Sequence, residues 1–222
     1  MKITFVEATD IPDAWFQCLY KILDEGWIYE IQRGSFVGHK RLEFELVVVN
    51  IKYPATRPLV PDMPPGSGLP LPTDMEYVEK YLEKLMTSLR APGEDYTYGE
   101  DLEPQIYKVI DMYKKFGPNT NQAYMTIGNR DSIDLDDPPC LRGIDTRIKD
   151  GRLNFIVYFR SWDLWAGFPS NLAGIQLLKE FMADEIGVDD GEIVAISKGL
   201  HLYDYSWELA AARCGKTPPE VK

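Results

Sequence analysis

Cys140 stands directly behind two prolines in the stretch DDPPCLR, residues 136–142, and about twenty positions later a strand-like run ends in Arg160-Ser161. A thiol acts as nucleophile through its thiolate, and a nearby cation makes the thiolate easier to form. Pro138 and Pro139 fix the local backbone and remove two amide donors, which makes a rigid mount at the lip of a cleft. Arg142 and Arg160 are the candidate cations, and Arg160 beside the Ser161 hydroxyl has the chemistry of a phosphate clamp. A lone cysteine is more often a small core residue than a nucleophile, so the assignment needs partners elsewhere in the chain. The sequence holds no Gly-x-Gly-x-x-Gly after a strand, no phosphate-binding Gly-Lys-Ser/Thr loop, no His-Glu-x-x-His and no Gly-x-Ser-x-Gly elbow. Any chemistry is therefore built around Cys140.

Composition narrows the classes. With 222 residues and 45% apolar content, the chain fits one large domain or two small ones. No internal repeat or clean linker divides it, and residues 1–222 read as one domain. Cys18, Cys140 and Cys214 are odd in number and far apart, which argues against a disulfide framework and for a reducing cytoplasm. Only two histidines are present and no cysteine pair is spaced as a zinc knuckle, so no metal is expected. A net charge of −11 argues against nucleic acid as a partner, yet local arginines could still hold a small phosphorylated substrate. No apolar run is long enough to span a bilayer, and no secretory leader is recognisable.

The elements that must position these residues can be traced from periodicity and punctuation. A helix is predicted over Asp13–Glu25, with Pro12 at its start and Gly26 as a left-handed cap. Leu42–Ile51, LEFELVVVNI, reads as one strand. Seven prolines between Tyr53 and Thr73 mark a loop or extended arm, and Thr73 with Glu76 forms a capping box for MEYVEKYLEKLM. A helix from Pro104 to Phe116 and a short strand over Ala123–Ile127 follow. Asp150-Gly151 is a strong hairpin turn between IDTRI and RLNFIVYF. Asn171–Ile186 is helical and closed by Gly187, and Ile193–Tyr203 is a further strand. Strands and helices mix without strict alternation, so the class is α+β, a mixed or antiparallel sheet packed with helices.

In order, the elements PPC, hairpin, RSWDLWAGFPSNLAGIQLL and GEIVAISKGLHLYDY resemble the thymidylate synthase family of the flavin-independent kind. That family carries an Ala/Pro-Pro-Cys nucleophile, an Asp-Gly hairpin, an Arg-Ser-x-Asp-x-x-x-Gly-x-Pro-x-Asn segment and a His-x-Tyr end. Spacing also matches, and strong coverage runs from about Pro118 to Glu208. The resemblance implies that Cys140 adds as a thiolate to C6 of the uracil of dUMP. C5 then takes a one-carbon unit from methylenetetrahydrofolate or methylenetetrahydromethanopterin. It implies Arg160 as phosphate ligand and as the charge favouring thiolate, with Ser161 on the same phosphate. Asn171 would read N3–H and O4, His201 and Tyr203 would hold the 3′-hydroxyl, and Asp163 would face the pterin. Tyr98, in YTYGEDL, would help to remove the C5 proton.

The first half matches more loosely. IQRGSFVGHKRLEFEL resembles the family's Arg-Thr-Gly-Thr phosphate loop and makes Arg33 a mobile phosphate ligand, while Glu79 or Glu83 would be the catalytic glutamate. Departures are as informative. Asn121 and Gln122 stand where the family has paired arginines that reach the partner subunit's phosphate, so Arg142, Arg130 or Arg147 would have to replace them. Leu141 stands in place of the family's histidine, no tryptophan-rich pterin wall is recognisable in the first half, and the chain is shorter than most members, as in the archaeal branch. The resemblance further implies a homodimer, in keeping with LEFELVVVNI and RLNFIVYF being apolar on both faces. Two other readings stand beside it: a pyrimidine (dUMP or dCMP) hydroxymethylase of the same fold, and a non-catalytic nucleotide-binding or RNA-binding relative.

Overall fold

The computed structural model describes residues 1–90 and 96–220. Its elements are β1 (Thr4–Ala8), α1 (Ile11–Glu25), β2 (Trp27–Glu30), β3 (Lys40–Glu43), β4 (Val47–Ile51), α2 (Met75–Met86) and α3 (Gly99–Phe116). Next come β5 (Tyr124–Thr126), β6 (Leu141–Lys149), β7 (Arg152–Phe159), β8 (Trp162–Asp163), α4 (Gly167–Ile186), β9 (Asp189–Ser197), β10 (Leu200–Tyr203) and α5 (Trp207–Cys214). The larger sheet has the order β1-β4-β9-β7-β6-β5, and the smaller has β2-β3-β10-β8. Parallel pairs (β1 with β4, β7 with β9) sit among antiparallel ones, so the class is α+β with mixed sheets.

Two segments that read as single strands each divide between the sheets. LEFELVVVNI breaks at Phe44–Leu46 into β3 and β4, and Ile193–Tyr203 breaks at Lys198–Gly199 into β9 and β10. Alternation runs through the first break, Phe44-Glu45-Leu46, so periodicity could not reveal it, whereas Ser197-Lys198-Gly199 interrupts the apolar pattern at the second. The segments are antiparallel neighbours and change sheet together: Glu43 opposes His201 on one side, and Val47 opposes Ser197 on the other. Gly199 is required at that crossing, since a Cβ there would lie 2.6 Å from the Arg160 carbonyl oxygen.

Helix α4 is the centre of the core. It is buried nearly all round, from Phe168 and Leu172 through Ile175, Leu178 and Met182, and it packs on β7, β9, α1, α2 and α3. At its end Gly187 adopts the left-handed conformation with φ 83°, as a closing glycine should. Gly26 does not. Its φ of −69° is extended, and glycine is needed there because a Cβ would meet the Ile22 oxygen at 2.7 Å and the Leu42 side chain at 2.8 Å. Helix α2 is capped by Asp74, which accepts from the Tyr77 N–H at 2.8 Å, and not by Thr73. Helix α3 starts at Gly99, five residues before Pro104. The N–H groups of Asp101 and Leu102 bond to the Tyr98 carbonyl, so Pro104 costs only the bond to Glu100. The Asp150-Gly151 turn has both residues at positive φ (52° and 72°), the geometry that Asp-Gly favours in a two-residue hairpin.

Candidate active site

The β6–β7 hairpin brings the thiol and the arginine together. Cys140 immediately precedes β6 and Arg160 immediately follows β7, and the register pairing Leu141 with Phe159 sets them side by side. The Arg160 backbone N–H donates to the Cys140 carbonyl at 2.8 Å. Its guanidinium folds back over the proline mount: Nε donates to the carbonyls of Pro138 (3.1 Å) and Pro139 (3.2 Å), and Nη2 reaches Asp137 Oδ1 at 2.9 Å. The prolines thus offer acceptors with no N–H of their own to compete.

A cavity of about 880 Å³ opens in front of Cys140. Ser161, Trp162, Asp163 and Asn171 line one wall, Tyr77 and Tyr81 come from α2, and Tyr96 and Tyr98 come from the segment leading into α3. Two close approaches hold that second wall. A Cβ on Gly174 of α4 would lie 2.7 Å from Tyr81, and a Cβ on Gly99 would lie 1.8 Å from the Thr87 carbonyl at the end of α2. Burial pushes the Cys140 thiol above its ordinary range. Arg160 opposes that shift, Asp137 adds to it and Arg41 opposes it. Tyr98 is also pushed well up by burial and by Cys140, so its phenol is neutral near pH 7.

Asp163 lines the cavity while capping the start of α4. Its Oδ1 accepts from the Trp165 N–H at 3.1 Å, and its Oδ2 accepts from Ala166 (3.1 Å) and Gly167 (3.2 Å). Burial raises its pKa, and these three N–H groups hold it back. Asn171 lies in the second turn of α4 and does not begin the helix, which opens at Gly167. Its Oδ1 accepts from the Trp162 indole Nε1 at 2.9 Å.

His201 and Tyr203 flank this region on β10, in edge-to-face contact at 4.6 Å. Neither lines the cavity. The His201 Nδ1 faces the Gly199 carbonyl at 2.8 Å, and its buried Nε2 has no partner among the described residues. Burial and the Arg41 charge push its pKa down to about 3, so the ring is neutral, and its 3.9 Å approach to Glu43 is not an ion pair. Arg33 is exposed and also lies off the cavity, although its loop docks nearby through Ser35 Oγ, 2.9 Å from Asp137 Oδ2.

Neither Glu79 nor Glu83 fits the role of a catalytic glutamate: both are exposed on the far side of α2, and the carboxylates that line the cavity are Asp74, Asp137 and Asp163. Of the three arginines that could replace the missing pair, Arg147 adjoins Asn121 and Gln122 in a separate, smaller cavity. Arg142 sits at the irregularity in β6, and Arg130 pairs with its neighbour Asp131 at 3.3 Å. Among the described residues, no group of three His, Cys, Asp or Glu side chains could hold a metal ion, and no helix is long and apolar enough to cross a membrane.

Arg41, Asp137, Tyr96 and Trp162 were missed by sequence reasoning, and for Arg41, Asp137 and Trp162 local sequence carries no sign of their role. Arg41 is half-buried on β3 opposite Tyr203, and its guanidinium donates to two phenols, Tyr29 at 3.3 Å and Tyr203 at 3.2 Å. Among the described residues it has no carboxylate partner and its Nε is buried without a bond. One signal was available: Tyr96 alternates with Tyr98 in YTYGEDL.

Known proteins place this arrangement. The family described as thymidylate synthase matches residues 85–221. A provisionally named thymidylate synthase of Methanosarcina acetivorans is 28% identical over 210 residues, which cover 92% of this chain and 91% of the relative. One from Methanothermobacter thermautotrophicus is 28% identical over 92% of this chain and 96% of its own length. The thymidylate synthase of Listeria monocytogenes is 31% identical over 121 residues, 54% of this chain and 38% of the Listeria protein. The nucleophile mount, the arginine, the asparagine and the His-x-Tyr strand all fall within the matched span, and the chain belongs to the thymidylate synthase family, an enzyme family of methyltransferases.

Proposed function

We propose that the chain converts dUMP to dTMP by reductive methylation at C5, through a covalent adduct of Cys140 with C6. The observation that carries this reading is the pairing of Cys140 and Arg160 on one hairpin, with Cys140, Asp137 and Ser161 lining a cavity whose opposite wall is aromatic. The pterin co-substrate supplies both the carbon and the hydride. The cavity suits it: tyrosines 77, 81, 96 and 98 offer flat faces, and about 880 Å³ takes a nucleotide base and a second ring system together.

The chain's own groups divide the remaining work. Cys140 loses its proton, adds to C6 and is expelled again when the product forms, so the thiol is regenerated. Arg160 and Ser161 bind the 5′-phosphate, with Arg33 brought in by its loop. A phosphate dianion competes with Asp137 for the Arg160 guanidinium. Asn171 reads the uracil edge, and His201 and Tyr203, which the family resemblance assigns to the 3′-hydroxyl, stand beside the cavity on β10 and do not line it. Tyr98 is neutral, so it relays the C5 proton and does not act as a phenolate base. Asp163 keeps unused lone pairs for pterin N–H donors while its cap bonds hold it in place.

The active unit in this reading is a homodimer in a reducing cytoplasm. The outer face of the larger sheet carries a continuous row, Phe5–Val48–Ile196–Tyr158, with Phe5 66% exposed. Sedimentation is expected to give a dimer at micromolar concentration, and a stable monomer there would refute the assembly. For the chemistry, incubation of the enzyme with dUMP and either methylenetetrahydrofolate or methylenetetrahydromethanopterin is expected to yield a nucleotide heavier by one CH2. A gain of CH2O would identify the hydroxymethylase reading instead. The Cys140→Ser variant is expected to bind dUMP and make no product, and turnover above a few per cent of wild type would refute the covalent step.

A further inference from the structure

Asn171 carries a side-chain amide, which can present its oxygen and nitrogen to a pyrimidine in either of two orientations. An indole N–H can only donate, so its partner must be an oxygen. Trp162 Nε1 lies 2.9 Å from Asn171 Oδ1, which fixes which way the amide points. We propose that Trp162 is a positioning residue that locks the Asn171 amide in the uracil-reading orientation and so excludes cytosine. This inference rests on the dUMP reading above.

Trp162 is built not to move. Its ring is 3% exposed, stacked on Phe159 at 3.7 Å and 8°, and packed against Phe168 at 4.7 Å. Its backbone is held in β8, where it pairs with Leu200, and its N–H donates to the Gly199 carbonyl at 2.8 Å. The amide, in contrast, has freedom to use. Asn171 is only half-buried, lines the cavity, and among the described residues its Nδ2 makes no hydrogen bond. Oδ1 has a second lone pair. With Oδ1 fixed, the amide offers an acceptor and, beside it, a free donor. Uracil presents the complement, N3–H as donor and O4 as acceptor. Cytosine presents N3 as acceptor and its amino group as donor. To read cytosine the amide must flip, and a flip would bring Nδ2 against the indole N–H, donor to donor, where the indole ring itself is 3% exposed. Leaving such a buried donor unpaired disfavours the flipped form by roughly tenfold or more.

The test needs no pterin. Dissociation constants for dUMP and dCMP are measured by equilibrium dialysis on the wild type and on Trp162→Phe, which keeps a stacked ring and removes the donor. A second variant carries benzothienylalanine at position 162, which keeps the bicyclic shape and replaces only N–H by sulfur, in case the smaller ring disturbs folding. Wild type is expected to prefer dUMP. Both variants are expected to lose roughly tenfold of that preference, mainly by gaining dCMP affinity, because an unlocked amide rotates to suit either base. A purely structural tryptophan would weaken both nucleotides alike and leave the ratio unchanged. If wild type prefers dUMP and the ratio is unmoved in the variants, the lock is refuted while the uracil reading stands. If wild type itself shows no preference for dUMP, the uracil reading falls and takes the lock with it.

Discussion

The His201 imidazole offers the most exact test of how the small sheet is built. The ring is 1% exposed and its Nδ1 donates to the Gly199 carbonyl, so burial and the Arg41 charge push its pKa from 6.5 down to about 3. Below pH 6.5 the unfolded chain takes up a proton there that the native chain refuses. The contribution to stability is therefore complete above pH 6.5 and is lost progressively as pH falls from 6.5 toward 3. Between pH 7 and pH 5 the loss is about 2 kcal/mol, since each pH unit below 6.5 weighs about 1.4 kcal/mol. Carboxylates also titrate toward acid, so the comparison is with His201→Gln, which can still donate to Gly199 but takes no proton. Urea unfolding of both proteins at pH 7 and pH 5 gives the stability difference at each pH. The gap between wild type and variant is expected to shift by about 2 kcal/mol against wild type at the lower pH. A gap that is the same at both values would mean that the native ring protonates freely, and the placement of His201 in the core would be wrong.

Lys179 on α4 titrates at the other end of the scale. Its side chain is fully buried 3.3 Å from Asp190, and burial lowers its pKa from 10.5 to about 8, so its cost is relieved as pH rises from 8 to 10.5. Relative to Lys179→Met, wild type is expected to gain about 3 kcal/mol over that range, read as the difference in unfolding free energy so that shared tyrosine and cysteine titrations cancel. A flat difference would refute it. Asn171→Asp replaces the donor that faces uracil O4 by an acceptor, and it is expected to move the dUMP/dCMP ratio of kcat/KM by one to two orders of magnitude toward dCMP, if the roughly 1–3 kcal/mol of an unpaired group is the main term. An unchanged ratio would remove Asn171 from base recognition.

Local signals were legible where local physics decides. Pro12 and the apolar spacing of α1, the Asp-Gly turn and the left-handed Gly187 each answer to a few adjacent residues. The sheet crossings were not legible. Phe44–Leu46 keeps the alternation of a strand and Ser197-Lys198-Gly199 reads equally as a bulge, so only the pairing of β3 with β10 and of β4 with β9 shows that the chain has changed sheet. The same limit moved the start of α3 to Gly99, whose close contact with Thr87 lies across a loop.

The site divides along the same line. Cys140, Arg160, Ser161 and Asn171 could be ordered from the sequence because a hairpin and the strand–helix turn after it carry them within about thirty residues. Arg41 could not, since it meets Tyr203 only through a register set 162 residues apart in the chain. Trp162 is the instructive intermediate. It lies inside the recognised segment, yet its neighbours in sequence give no hint that its ring turns toward Asn171, nine residues on. That contact exists because β8 pairs with β10, which fixes the backbone, and because Phe159 and Phe168 leave the indole one place to lie. A residue's type can be read from its own position, but the direction of its donor is a property of the packing around it.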